Sequence, residues 1–137
     1  MRDIVGNGEE VGLIERSRLG LMARRVLARV AADPPHRFTL AGLANELRCS
    51  PRTLQRRLGE DGLSLTEAVA LARLREAARL LAGSDLPLTQ VGFVAGYSDA
   101  AHFARAFKAA TAMRPSEYRA ARLQVPIDGS LIAEQAG

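Results

Sequence analysis

The chain has 137 residues, 47% hydrophobic, 25% charged and 4% aromatic with no Trp, which fits one ordinary globular domain. Its single cysteine, Cys49, excludes an internal disulfide and a cysteine-rich zinc site, and its two histidines, His36 and His102, lie far apart, so neither metal nor cofactor is expected. The net charge of +4 is unevenly spread: residues 1–15 carry −3 and residues 123–137 carry −2, which leaves +9 on residues 16–122 and favours a polyanionic partner.

Glu9, Glu10 and Glu15 stand where a secretory peptide would need an apolar run, and no segment approaches membrane-spanning length. A cytoplasmic protein without a membrane partner is expected, with residues 1–16 as a flexible acidic arm. Leu, Ala and Arg dominate, and no stretch alternates apolar with polar, so the expected class is all-α.

Leu19, Met22, Val26 and Val30 recur at helical spacing between outward Arg24, Arg25 and Arg29, which predicts a helix over 18–31, ended by Asp33-Pro34-Pro35. Thr39 can cap a short second helix whose Leu40, Leu43, Ala44 and Leu47 point inward. After a tight turn at Arg48-Cys49, Ser50 caps a third helix with Pro51 in its first position, and the stretch from Gly59 to Gly62 closes it. Ser64 and Glu67 have the spacing of a capping box and open a long helix over 65–82, about 27 Å at 1.5 Å per residue. Val69, Leu74, Leu80 and Leu81 are its expected inward stripe, and its length suits a spacer between two units. The pattern then restarts. Leu88, Val91, Val94 and Ala95 read as the inward side of a short helix, Gly96 makes a turn, Tyr97 plugs it, and Ser98 or Asp99 caps a helix to about Ala110. Pro115-Ser116-Glu117-Tyr118 reads as a short closing helix, and residues 123–137 as a tail without pattern.

The third and sixth segments are copies. Aligning Leu54 with Phe103 places Leu58 on Phe107 and Arg56 on Arg105 at a constant offset of 49, with one extra residue in the second turn. Both arginines then project outward from equivalent places, so the pair reads as two DNA-recognition helices.

On these residues the run from about Phe38 to Arg119 resembles the DNA-binding domain of the AraC/XylS family of bacterial transcription regulators. The motifs are Ser50-Pro-Arg-Thr-Leu-Gln-Arg-Arg-Leu58, Gly96-Tyr-Ser-Asp99 followed by Phe103, Arg105, Phe107 and Lys108, and Pro115-Ser-Glu-Tyr-Arg119. The resemblance implies an all-α fold of about seven helices. It forms two homeodomain-like helix-turn-helix subdomains, 17–63 and 83–122, joined by a linker helix over 64–82, with both recognition helices in successive major grooves. It implies double-stranded DNA as partner, RNA polymerase as a further one, and transcription activation at an asymmetric site bound by a monomer.

Carried onto this sequence, base-reading positions of the first recognition helix fall on Arg52, Gln55 and Arg56, with Ser50 and Thr53 nearby and Arg57 toward phosphate. Arg can bridge guanine O6 and N7, and Gln adenine N6 and N7; the competing role for Arg52 and Arg56 is a surface pair with Glu60. In the second helix the outward positions are Ala101, His102 and Arg105, with Ala100 and Ala104 alongside and Lys108 on phosphate. Alanines cannot hydrogen-bond bases, so this half positions more than it specifies. His102 is either a DNA contact or a helical histidine without a partner. Arg48 and Ala112 stand where the family commonly has glycine, and Gly92 stands where it often has alanine, which suggests local strain and a less rigid second unit.

Only 37 residues precede Phe38, too few for the sensing domain that most members carry, and no small-molecule pocket is expected. The chain reads either as a stand-alone regulator or as a piece of a longer one. No Gly-rich phosphate loop, supported Ser/His/Asp set or buried carboxylate pair suggests an enzyme. The competing function is a helical adaptor that binds a transcription factor or RNA polymerase without specific DNA contact.

Overall fold

Small polar side chains set where the helices begin. In a computed structural model, which describes residues 19–121, Thr39, Ser50, Ser64 and Asp99 each accept a hydrogen bond from a backbone N–H in the first turn of the helix they precede; each such cap is worth about 1 kcal/mol. At Ser64 the box is complete, with Glu67 Oε1 accepting from the Ser64 N–H at 2.9 Å and Ser64 Oγ from the Glu67 N–H at 3.1 Å. The helices are α1 (Leu21–Ala32), α2 (Leu40–Glu46), α3 (Pro51–Glu60), α4 (Leu65–Gly83), α5 (Leu88–Val94), α6 (Ala100–Thr111) and α7 (Pro115–Ala121). No strand occurs among the described residues. The acidic arm and the C-terminal tail lie outside them.

The helix α4 is more than a spacer. It packs against α1 and α3 on one side and against α5, α6 and α7 on the other, so it belongs to the cores of both units. Its buried residues are Ala68, Leu71, Ala72, Leu74, Ala77, Ala78 and Leu81, whereas Val69 and Leu80 are only partly buried. The single inward stripe read from the sequence therefore missed Leu71, while Val69 and Leu80 pack against the core only in part, because a helix packed on several sides buries several faces and has no clean 3.6-residue stripe. Alanines at these positions let the neighbouring helices approach closely.

Arginines tie the central helix to its surroundings at its middle and at its C-terminal end. Arg73 donates from Nε to the Pro34 carbonyl at 2.8 Å and from Nη2 to the His36 carbonyl at 3.0 Å, pinning the loop after α1. Arg119 of α7 donates to the carbonyls of Leu80, Leu81 and Leu86 at 3.4, 3.1 and 2.6 Å, joining the last turn of α4 to the segment that leads into α5; Leu80 O also accepts from the Ser84 N–H and hydroxyl. The start of α1 lacks a cap of its own, and Asp61 supplies one by accepting from the Gly20 N–H at 3.0 Å.

In the second unit α5 is rolled relative to expectation. Val91 and Ala95 are fully buried, but Leu88 and Val94 are 36% and 42% exposed. The cause is Gly92, where an added Cβ would lie 2.9–3.1 Å from atoms of the Phe103 side chain. The ring sits on the glycine, turns the 91–92–95 side inward and carries Val94 out. Gly92 therefore seats an aromatic ring, which revises the reading that it loosens the unit.

No pocket was expected from the sequence, yet a cleft of about 610 Å3 lies between α4 and α6. It exists because the facing residues Ala70, Ala106, Ala109 and Ala110 are too small to fill the gap.

Candidate nucleic-acid interface

Each recognition helix is held by two apolar anchors one turn apart. Leu54 and Leu58 of α3 are buried at 0% and 1% exposure, and Phe103 and Phe107 of α6 at 3% and 0%. At 100° per residue, anchoring these positions forces the residues between them toward solvent. Arg52, Gln55, Arg56 and Arg57 are exposed on α3, and Ala101, His102, Arg105 and Lys108 on α6.

The turns that present the helices are copies at the level of the backbone. Arg48 and Gly96 both have positive φ, 60° and 106°. The N–H of the next residue then reaches back five residues in each, Cys49 to the Ala44 carbonyl at 3.0 Å and Tyr97 to the Gly92 carbonyl at 2.8 Å. Four residues separate α2 from α3 and five separate α5 from α6, so the one-residue insertion inferred from the repeat is present. Asp99, rather than Ser98, is the second cap, accepting from the His102 N–H at 2.7 Å.

The chain's likeness to known proteins follows this geometry. The family model described as a helix-turn-helix domain matches residues 43–121. The chain belongs to the AraC/XylS family. It is 30% identical over 112 residues to the HTH-type transcriptional regulator VqsM of Pseudomonas aeruginosa, covering 82% of this chain and 34% of that protein. It is 35% identical over 99 residues to VirS of Mycobacterium tuberculosis, covering 72% of this chain and 27% of the relative. The chain thus spans about a third of the length of the curated relatives it matches. Among solved structures, a DNA-binding transcriptional dual regulator from Escherichia coli K-12 superposes with a TM-score of 0.68 at 28% identity, covering 74% of this chain and 91% of that one. The DNA-binding domain of AdpA, solved in complex with a target DNA, superposes with a TM-score of 0.61 at 26% identity over 72% of this chain and 90% of that one.

Within this AraC/XylS domain the candidate side chains differ in how they are held. Ser50 and Thr53 are spent on the cap of α3: Ser50 Oγ accepts from the Thr53 N–H and donates to Thr53 Oγ1, both at 3.0 Å. Arg56 Nη1 meets Glu60 Oε2 at 3.4 Å with both side chains more than half exposed, the surface pair weighed against DNA reading; such a pair is weak and yields readily to a stronger anion. Arg52, Arg57 and Arg105 form no ion pair among the described residues. His102 does have a partner, the Tyr97 ring, edge to face at 5.3 Å. Lys108, in the last turn of α6, lies close enough to Glu117 to help lower the pKa of its carboxyl, after the larger effects of hydrogen bonds from Arg114.

Sequence reasoning pooled all arginines into one basic core and so missed that Arg73 and Arg119 are structural. Their carbonyl partners lie 33 to 39 residues away, and no local pattern signals such contacts. The glycine departures are geometric facts as well: Arg48 at φ 60° and Ala112 at φ 65° occupy the left-handed region that glycine tolerates best. Among the described residues no group of histidine, cysteine or acidic side chains could hold a metal ion, and no helix is long and apolar enough to cross a membrane.

Proposed function

We infer that this chain is the duplex-DNA-reading part of a cytoplasmic transcription regulator, an activator that recruits RNA polymerase. The two units, 17–63 and 83–122, insert α3 and α6 into adjacent major-groove segments of an asymmetric site. The observation that carries this reading is the repeated turn and anchor geometry, which exposes Arg56 and Arg105 at matching places on two helices. The family membership and the AdpA domain's complex with a target DNA support it.

Arg52, Gln55 and Arg56 read bases, a good bidentate contact being worth about 1–3 kcal/mol of discrimination. Ser50 and Thr53 hold the end of α3 at the groove, and Arg57 meets phosphate. On α6, Arg105 reads, Ala101 offers its methyl to thymine, His102 contacts the groove edge from its seat on Tyr97, and Lys108 meets phosphate. A random-oligonucleotide selection followed by gel-shift titration against salt tests the proposal. A preferred sequence and a steep loss of affinity with salt are expected. Salt-dependent binding without sequence preference overturns the base-reading roles, and the absence of both a preferred sequence and a salt slope supports the adaptor reading instead.

A further inference from the structure

The cleft between α4 and α6 has a mostly apolar wall, built from Phe38, Leu65, Val69, Leu74, Ala106 and Ala110. Its volume, about 610 Å3, is in the range of cavities that enclose small ligands. The polar groups on it are all neutral or potentially cationic, namely Arg37, Thr66, Arg73, Tyr97 and His102, and no carboxylate lines it.

Three of these groups are brought together by the backbone. Arg73 Nη2 binds the His36 carbonyl, which fixes the residue next to Arg37, and Arg73 Nε binds the Pro34 carbonyl. Gly96, adjacent to Tyr97, packs so tightly here that an added Cβ would lie 2.6 Å from both Arg73 Nε and Pro34 O. Arg37 is exposed and makes no hydrogen bond or ion pair among the described residues. Tyr97 is only 9% exposed, yet its hydroxyl has no hydrogen-bond partner among the described residues. Buried donors normally have acceptors. Burial pushes the phenol pKa up to about 12, against the opposing field of Arg73, so the hydroxyl is a proton donor at neutral pH. A buried donor, an unpaired guanidinium and an apolar wall without negative charge together match a ligand with a flat apolar body and one anionic group.

We propose that this cleft is a binding site for a small aromatic monoanion, a carboxylate or sulfonate, whose charged oxygens meet Arg37 and the Tyr97 hydroxyl while its ring lies between α4 and α6. The site is separate from the exposed faces of α3 and α6 assigned to DNA, although His102 borders both.

The test is a fluorescence titration of the full chain with anilinonaphthalenesulfonate, an aromatic anion, beside its neutral analogue phenylnaphthylamine. The anion binds roughly tenfold more tightly than the neutral probe, as expected for charge-assisted hydrogen bonds. Arg37→Gln and Tyr97→Phe each weaken the anion by about fivefold to tenfold and leave the neutral probe unchanged. Ala106→Phe fills the cleft and removes binding of both, with circular dichroism checking that it folds; Arg37→Gln alters an exposed side chain and decides the question if Ala106→Phe does not fold. Equal affinity for the two probes, or anion binding indifferent to Arg37→Gln and Tyr97→Phe, overturns the proposal. The readout involves no DNA, so it succeeds or fails independently of the DNA-reading function.

Discussion

Ala112 caps α6 with φ 65° and ψ 9°, and its N–H is bound to the Lys108 carbonyl at 2.7 Å. In the left-handed region an L residue is strained by about 1–2 kcal/mol. Glycine would relieve that strain but loses about 0.5–1 kcal/mol more backbone entropy on folding than alanine does. Ala112 is exposed, so removing its methyl sacrifices no packing. The net expectation for Ala112→Gly is stabilisation by about 0.5–1 kcal/mol, or a Tm rise of roughly 2–8 °C for a domain of this size. Ala28→Gly is the control, since Ala28 is also exposed but lies inside α1, where glycine costs about 1 kcal/mol. Thermal melts followed by circular dichroism at 222 nm, a wavelength that reports helix, should move in opposite directions for the same chemical change. A Tm for Ala112→Gly at or below that of the parent would refute the strain argument.

Arg56→Ala should reduce discrimination at one or two base pairs by about 1–3 kcal/mol while leaving Tm nearly unchanged, because only an exposed pair with Glu60 is lost; Lys108→Ala should weaken all sequences alike, and competition gel shifts on single-base operator variants separate the two patterns. Gly96→Ala should cost about 3 kcal/mol or more in denaturant melts, since a φ of 106° and a carbonyl 2.6 Å from the new Cβ both oppose it; a melt like the parent's would show that the turn adapts. The Arg114 N–H and guanidinium hold the Glu117 carboxyl below its ordinary pKa. Its contribution to stability is therefore present above the ordinary glutamate range and is lost as pH falls through the lower folded value. Glu117→Gln should flatten that acid limb of Tm against pH, and an unchanged limb would assign it to other carboxylates.

Local signals carried most of the helix pattern. Thr39, Ser50 and Ser64 are caps whose chemistry acts within three residues, so they were legible, as was the repeat that pairs Leu54 with Phe103 and Leu58 with Phe107. The roll of α5 was hidden because it depends on Phe103 lying over Gly92, a contact between two helices. The cleft was hidden for a similar reason, since alanine in a sequence does not reveal whether its neighbours close over the missing volume. His102 shows the same limit, its Tyr97 ring partner being set by the turn. On the candidate surface, exposure of the arginines followed from the anchors, whereas the division between outward and structural arginines needed the fold.

The clasp that Arg119 places over the end of α4 has a consequence for biosynthesis. A chain leaves the ribosome from its N-terminus, and domains fold in that order, so the carbonyls of Leu81 and Leu86 wait for a guanidinium translated more than thirty residues later. An unfinished product can pack α4 against its first unit, but the segment from Leu80 to Leu86 stays unclasped until that arginine emerges.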